Sequence, residues 1–107
     1  MNPKTRFDEI VDDLAAQDPD VAAAQMMGRP SIKAGGKLIA CLESRGTMAF
    51  KLPDEAEQEK ALALDGARVY EPADNGRKMG GWIEVPTAHE DRWAELAAIA
   101  LRLRRRS

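Results

Sequence analysis

Cys41 and His89 are the side chains of this sequence best suited to nucleophilic or acid–base chemistry, and each is the single residue of its kind. A nucleophilic thiol needs a neighbouring base or cation to lower its pKa. Cys41 instead falls in the apolar run Leu38-Ile39-Ala40-Cys41-Leu42, where cysteine acts as a small core residue. A general base must reach the proton it moves. His89 lies in Thr87-Ala88-His89-Glu90, the expected first turn of a helix, and reads as a surface residue. Zinc takes about four ligands, and one Cys and one His on separate elements do not supply them. Asp74 and Glu84 are the carboxylates to weigh for paired acid–base work, but the required separation of roughly 5–9.5 Å is a tertiary property. Gly35-Gly36-Lys37 hints at a phosphate cradle. It lacks P-loop spacing and leads into a strand, so a bulge or tight turn is the better reading. Gly76-Arg77-Lys78-Met79-Gly80-Gly81 also precedes a strand, which leaves no helix N-terminus to face a pyrophosphate. We therefore expect no catalytic residue set, no metal and no cofactor.

Binding chemistry is better represented. Gly28, Arg29, Lys33, Lys37, Lys51, Arg77, Lys78 and Trp82 fall at expected strand ends and turns, a basic and aromatic set suited to contact with a macromolecule. Trp82 follows Gly80-Gly81, which leave a ring face uncovered. Arg102, Arg104, Arg105 and Arg106 form a basic tail that invites nucleic acid or acidic protein. Net charge is −2, with both signs mixed along most of the chain. That balance disfavours phosphate-driven binding, so a protein partner is preferred and nucleic acid is the alternative. Met26, Met27, Met48 and Met79 are expected in the core.

The elements that must position these residues follow from periodicity. At 107 residues, 44% of them hydrophobic, the chain makes one domain with a small core. Phe7, Ile10, Val11, Leu14 and Ala15 predict an amphipathic helix after a frayed Met1–Thr5, stopped by Asp18-Pro19-Asp20. Val21 to Met27 predicts a strand. Ser31 to Glu43 predicts either one strand bent at Ala34-Gly35-Gly36 or two short ones, and Met48 to Leu52 closes a hairpin with it across Ser44-Arg45-Gly46. Asp54, with Glu57 three residues on, predicts the cap of a second helix, and Gly66 its stop. Ala67 to Pro72 and Lys78 to Pro86 predict a second hairpin around Asn75-Gly76. Thr87 and Glu90 predict a capping box for a last helix with Trp93, Leu96, Ala97, Ala100 and Leu101 on its apolar stripe, widened by Ile99 and Leu103. The order α-β-β-β-α-β-β-α makes this an α+β fold with an antiparallel sheet of five strands.

This series resembles the TfoX N-terminal domain family, relatives of the YjbR and MmcQ proteins. The resemblance runs from about residue 7 to about residue 101. It rests on Met26-Met27-Gly28, on Gly36-Lys37-Leu38-Ile39-Ala40 followed by Met48-Ala49-Phe50-Lys51-Leu52, and on Met79-Gly80-Gly81-Trp82-Ile83-Glu84-Val85-Pro86. It implies a compact α+β domain with a regulatory role linked to DNA-uptake competence, and no catalytic residues. The competence regulator's second, helical domain has no counterpart in this sequence.

A single cysteine excludes an intrachain disulfide. No signal-peptide pattern or apolar run of roughly 20 residues is seen, so a cytoplasmic protein without a membrane span is expected. An exposed strand edge or the C-terminal helix offers a surface for a homodimer.

Overall fold

The computed structural model describes residues 2–73 and 75–106. Helix α1 (Pro3–Gln17) leads into β1 (Val21–Met26), β2 (Arg29–Ala34), β3 (Lys37–Leu42) and β4 (Met48–Lys51). Helix α2 (Glu55–Leu62), β5 (Arg68–Val69) and β6 (Trp82–Val85) follow. A 3-10 turn (Thr87–His89) then leads into α3 (Glu90–Arg106). All strands pair antiparallel in one sheet of order β1-β2-β3-β4-β6-β5. The fold is α+β, as the alternating blocks require.

The stretch Ser31–Glu43 resolves into two strands, so among the described residues the sheet has six strands and not five. Gly35 and Gly36 have φ of 58° and 81° and form the two-residue turn between Ala34 and Lys37. Such a turn requires the left-handed region at both central positions, where glycine is unstrained. The irregularity sits farther along, where Ile39 is inserted between the pairs Lys33↔Leu38 and Ile32↔Ala40. The β1–β2 turn is built the same way from Met27 (φ 52°) and Gly28 (φ 81°). Met27 is 86% exposed, so it is not a core residue; the turn carries it outward. A left-handed methionine costs about 1 kcal/mol. Met27→Gly is expected to raise the unfolding free energy by about that much, read as a higher urea midpoint at unchanged slope.

The inner sheet face carries the main core. Phe7, Ile10 and Leu14 from α1 and Trp93, Leu96, Ala97, Ala100 and Leu101 from α3 pack on Ile32, Ala40, Phe50, Ile83 and Val85. These are the predicted stripes, although Ala15 is exposed. The chain is ordered earlier than expected, because the Asn2 side chain accepts from Lys4 N at 2.8 Å and caps α1. Asp54 caps α2 through Ala56 N at 3.0 Å. Glu57 does not complete a capping box; it faces Lys60 at 3.3 Å and Arg102 at 3.8 Å. Thr87 is not a helix cap either. Its hydroxyl donates to the Gly46 carbonyl, a tertiary acceptor, and α3 begins after the 3-10 turn.

Candidate functional site

The outer sheet face holds the unusual chemistry. Strand alternation sends Ser31, Cys41, Ala49 and Glu84 to this side in one paired row. Ala49 is too short to fill the face, and Tyr70, Trp82, Met26, Leu38 and Met79 close over it with Cys41 as a second small core. The Tyr70 and Trp82 rings lie 6.0 Å apart at 40°.

Two buried carboxylates border that cluster. Glu43 and Glu84 are 3% and 2% exposed. A buried charge must be paired and hydrogen-bonded, and both are. Glu43 accepts from Arg29 Nε and, at 2.7 Å, from the Tyr70 hydroxyl, with Arg45 Nη2 at 3.5 Å. Glu84 accepts from Arg45 Nε at 2.6 Å, Arg68 Nε at 2.9 Å and the Thr47 hydroxyl. Burial pushes the Glu84 carboxyl up, but the bonds from Arg45, Thr47 and Arg68 outweigh it and hold the pKa below the usual value.

The turn after β3 delivers Arg45. Glu43 N donates to Thr47 O at 2.8 Å, and Gly46 N to Glu43 O at 2.9 Å. This tight loop aims Arg45 across β4 to β6. The second arms of the arginines reach the segment beyond β5. Arg29 Nη2 donates to the Pro72 carbonyl at 3.0 Å and Arg45 Nη2 to that of Glu71 at 3.2 Å. Tyr70 N bonds Trp82 O and Met79 N bonds Tyr70 O, so residues 71–73 and 75–78 lie on an excursion from the β5–β6 hairpin. The arginines therefore fasten this excursion onto the sheet.

Cys41 Sγ donates to the Tyr70 hydroxyl oxygen at 3.4 Å, and Tyr70 in turn donates to Glu43. Burial, partly offset by Tyr70, pushes the thiol pKa up to about 11, and burial also raises that of Tyr70. Cys41 is thus a protonated donor at neutral pH, the opposite of an activated nucleophile. His89 Nε2 lies 2.8 Å from the Asp65 carbonyl oxygen, away from this network. Among the described residues, no cluster of His, Cys, Asp and Glu has the arrangement of a metal site. Asp74, paired with Glu84 in the acid–base reading, lies outside the described residues.

The expected binding residues divide. Trp82 is 6% exposed and belongs to the second core, so the glycines before it do not leave its ring open. Gly81, with φ 83°, turns the chain so that Trp82 faces the sheet. Arg29 is consumed by Glu43 and Pro72. Gly28, Lys37, Lys51, Arg77 and Lys78 are exposed and Lys33 is half-buried. Lys33 and Lys51 alternate onto the outer face. Glu43, Arg45, Thr47, Arg68 and Tyr70 were not expected to act together. A carboxylate between Ile83 and Val85 was the available signal, but only strand pairing shows what it meets.

An open groove of about 340 Å³ runs past this network, lined by Asn2, Pro3, Arg29, Glu43 and Gly46. Of its polar side chains, Asn2 caps α1, Lys4 pairs with Asp8 and Arg29 pairs with Glu43. In the basic tail, Arg105 Nε bonds Asp18 at 2.9 Å. Asp18 also accepts from Asp20 N, and that bond followed by Arg105 lowers its pKa. Arg105 is therefore a link from α3 to the end of α1 as well as a surface charge. No helix among the described residues is long and apolar enough to cross a membrane. No family model matches this chain, and neither a curated protein nor a solved structure is significantly similar to it.

Proposed function

We propose that the chain is a non-enzymatic interaction domain of regulatory type, similar to the TfoX N-terminal domain family, that contacts an acidic segment of a protein partner. One observation carries this reading. Lys33, Lys37, Lys51, Arg77 and Lys78 have no ion-pair partner among the described residues, whereas Arg29 and Arg45 are spent on buried carboxylates. Charges free of internal pairing are those that can steer and orient a partner. The buried groups support the same reading, since Cys41 bonds Tyr70 and Tyr70 bonds Glu43, while Glu84 is satisfied by Arg45, Thr47 and Arg68.

The test is affinity capture from the native source with the wild-type chain and the double variant Arg77→Glu/Lys78→Glu, alongside filter binding to duplex DNA. Both substitutions are at exposed positions and are expected to leave the fold intact. Charge reversal is expected to lower partner recovery roughly tenfold, and DNA retention to be negligible at about 50 mM salt. Unchanged recovery, or retention on DNA that Arg77→Glu/Lys78→Glu abolishes, overturns the proposal.

A further inference from the structure

The two edges of the sheet are unlike. The β5 edge is a two-residue strand, Arg68–Val69. The β1 edge is six residues long, Val21-Ala22-Ala23-Ala24-Gln25-Met26. Solvent-facing edges are normally blunted by charge, proline, a bulge or shortness. β1 has no charge and no proline, and its pairing with β2 is unbroken.

The register tells which backbone groups are free. The two-residue turn makes Met26↔Arg29 a hydrogen-bonded pair, and bonded pairs then recur every second residue. Ala22 and Ala24 thus bond to β2, while Val21, Ala23 and Gln25 direct their backbone groups outward. Two bonds agree with this alternation: Gly35 N donates to Asp20 O, and the outward Val21 N donates to Asp18 O. The Ala23 and Gln25 amides and the Val21, Ala23 and Gln25 carbonyls are left facing the open side.

We infer that this edge pairs antiparallel with β1 of a second copy, about a two-fold axis through Ala23, to make one continuous sheet. Because outward groups recur at odd positions only, an in-register antiparallel pair must place its axis on a residue, and Ala23 is the central one. The pairs are then Ala23 with Ala23, Ala22 with Ala24, and Val21 with Gln25, all uncharged and small enough for close approach. A groove of about 300 Å³ between α1 and the edge, lined by Phe7, Asp8, Ala23 and Gln25, leaves room for the opposing side chains. The axis also reverses one α1 against the other. The Lys4 end of one helix is carried toward the Asp12–Asp13 end of its mate, a complementary arrangement of charge.

Sedimentation of the full chain tests this. The wild type is expected to reach twice its 11.7 kDa mass as concentration rises to roughly 100 μM, the range for a small interface. Ala23→Pro removes an outward amide without touching the β2 ladder, so it is expected to stay folded and become monomeric. Ala23→Lys and Ala23→Asp each place like charges across the axis and are expected to weaken pairing about tenfold. An equimolar mixture of Ala23→Lys and Ala23→Asp is expected to dimerise again, which keeps the test valid even where Ala23→Pro fails to fold. A wild type that stays at single-chain mass overturns the inference and leaves the edge to an extended segment of a different protein. A mixture no better than its components overturns the register.

Discussion

Trp82→Ala is expected to cost about 3–5 kcal/mol of folding free energy. The ring is 6% exposed, faces Tyr70 at 6.0 Å and shares its cluster with Cys41, Ala49 and Met79. Truncation empties the middle of a core too small to refill itself. A domain of this size has a total stability of about 5–15 kcal/mol, so the loss removes much of it. The measurement is a urea unfolding curve monitored by far-ultraviolet circular dichroism. Trp82→Phe retains most of the apolar contact and should fall between the wild type and Trp82→Ala. A solvent-facing tryptophan would behave otherwise, since its removal would shift stability by about 0.5 kcal/mol or less. A shift that small would show that the outer face is not a second core. It also follows that Trp82→Ala is a poor probe of partner binding, whereas Arg77 and Lys78 are good ones.

Glu84→Ala is expected to destabilise by about 3 kcal/mol, the lower end for breaking a buried ion pair. It strands the Thr47 hydroxyl and removes the shared acceptor of Arg45 and Arg68. The loss stays at that lower end because the two arginine side chains are 32% and 43% exposed and can recover water. Arg45→Ala leaves Glu84 with Arg68, so a double-mutant cycle between Glu84 and Arg45 should show coupling of about 1 kcal/mol or more. Additive losses would mean that the pair does not act as a unit.

The same carboxylate makes stability pH-dependent in a definite direction. Its folded pKa lies below the ordinary value for a glutamate. A depressed carboxylate stabilises fully above the unfolded pKa, and that contribution fades as pH falls through the folded pKa. Thermal midpoints of the wild type should therefore decline below about pH 4.5. Glu84→Gln should start lower and decline less steeply. Asp18, held down by Asp20 N and Arg105, adds to the acid sensitivity with the same sign.

Much of this architecture was legible before any fold was known. Phe7, Ile10 and Leu14, and then Trp93, Leu96, Ala97, Ala100 and Leu101, are spaced for one helical face and are buried on one face. Asp54 marked a helix start, and Gly35-Gly36 marked a break that could be a bulge or a turn and is a turn. These are local signals, written within a few residues of where they act. The failures have a common origin. Thr87 has the cap pattern, but its hydroxyl found Gly46, 41 residues earlier in the chain. Met27 has the polarity of a core residue, but the turn that required a left-handed position put it outside. The glycines before Trp82 pointed to exposure, yet an excursion of the β5–β6 hairpin covered it.

The linear chain determined the period of each helix and strand, the turn positions and hence the α+β class, because each depends on backbone preference and on a repeat of two or 3.6 residues. Tertiary structure alone decided the fate of the charges. Glu43 meets Arg29, and Glu84 meets Arg45 and Arg68, only once the five strands β2, β3, β4, β6 and β5 lie side by side. Coulomb attraction and desolvation act through space and carry no sequence period, so which cations are spent on buried carboxylates and which stay on the surface is a property of the folded sheet.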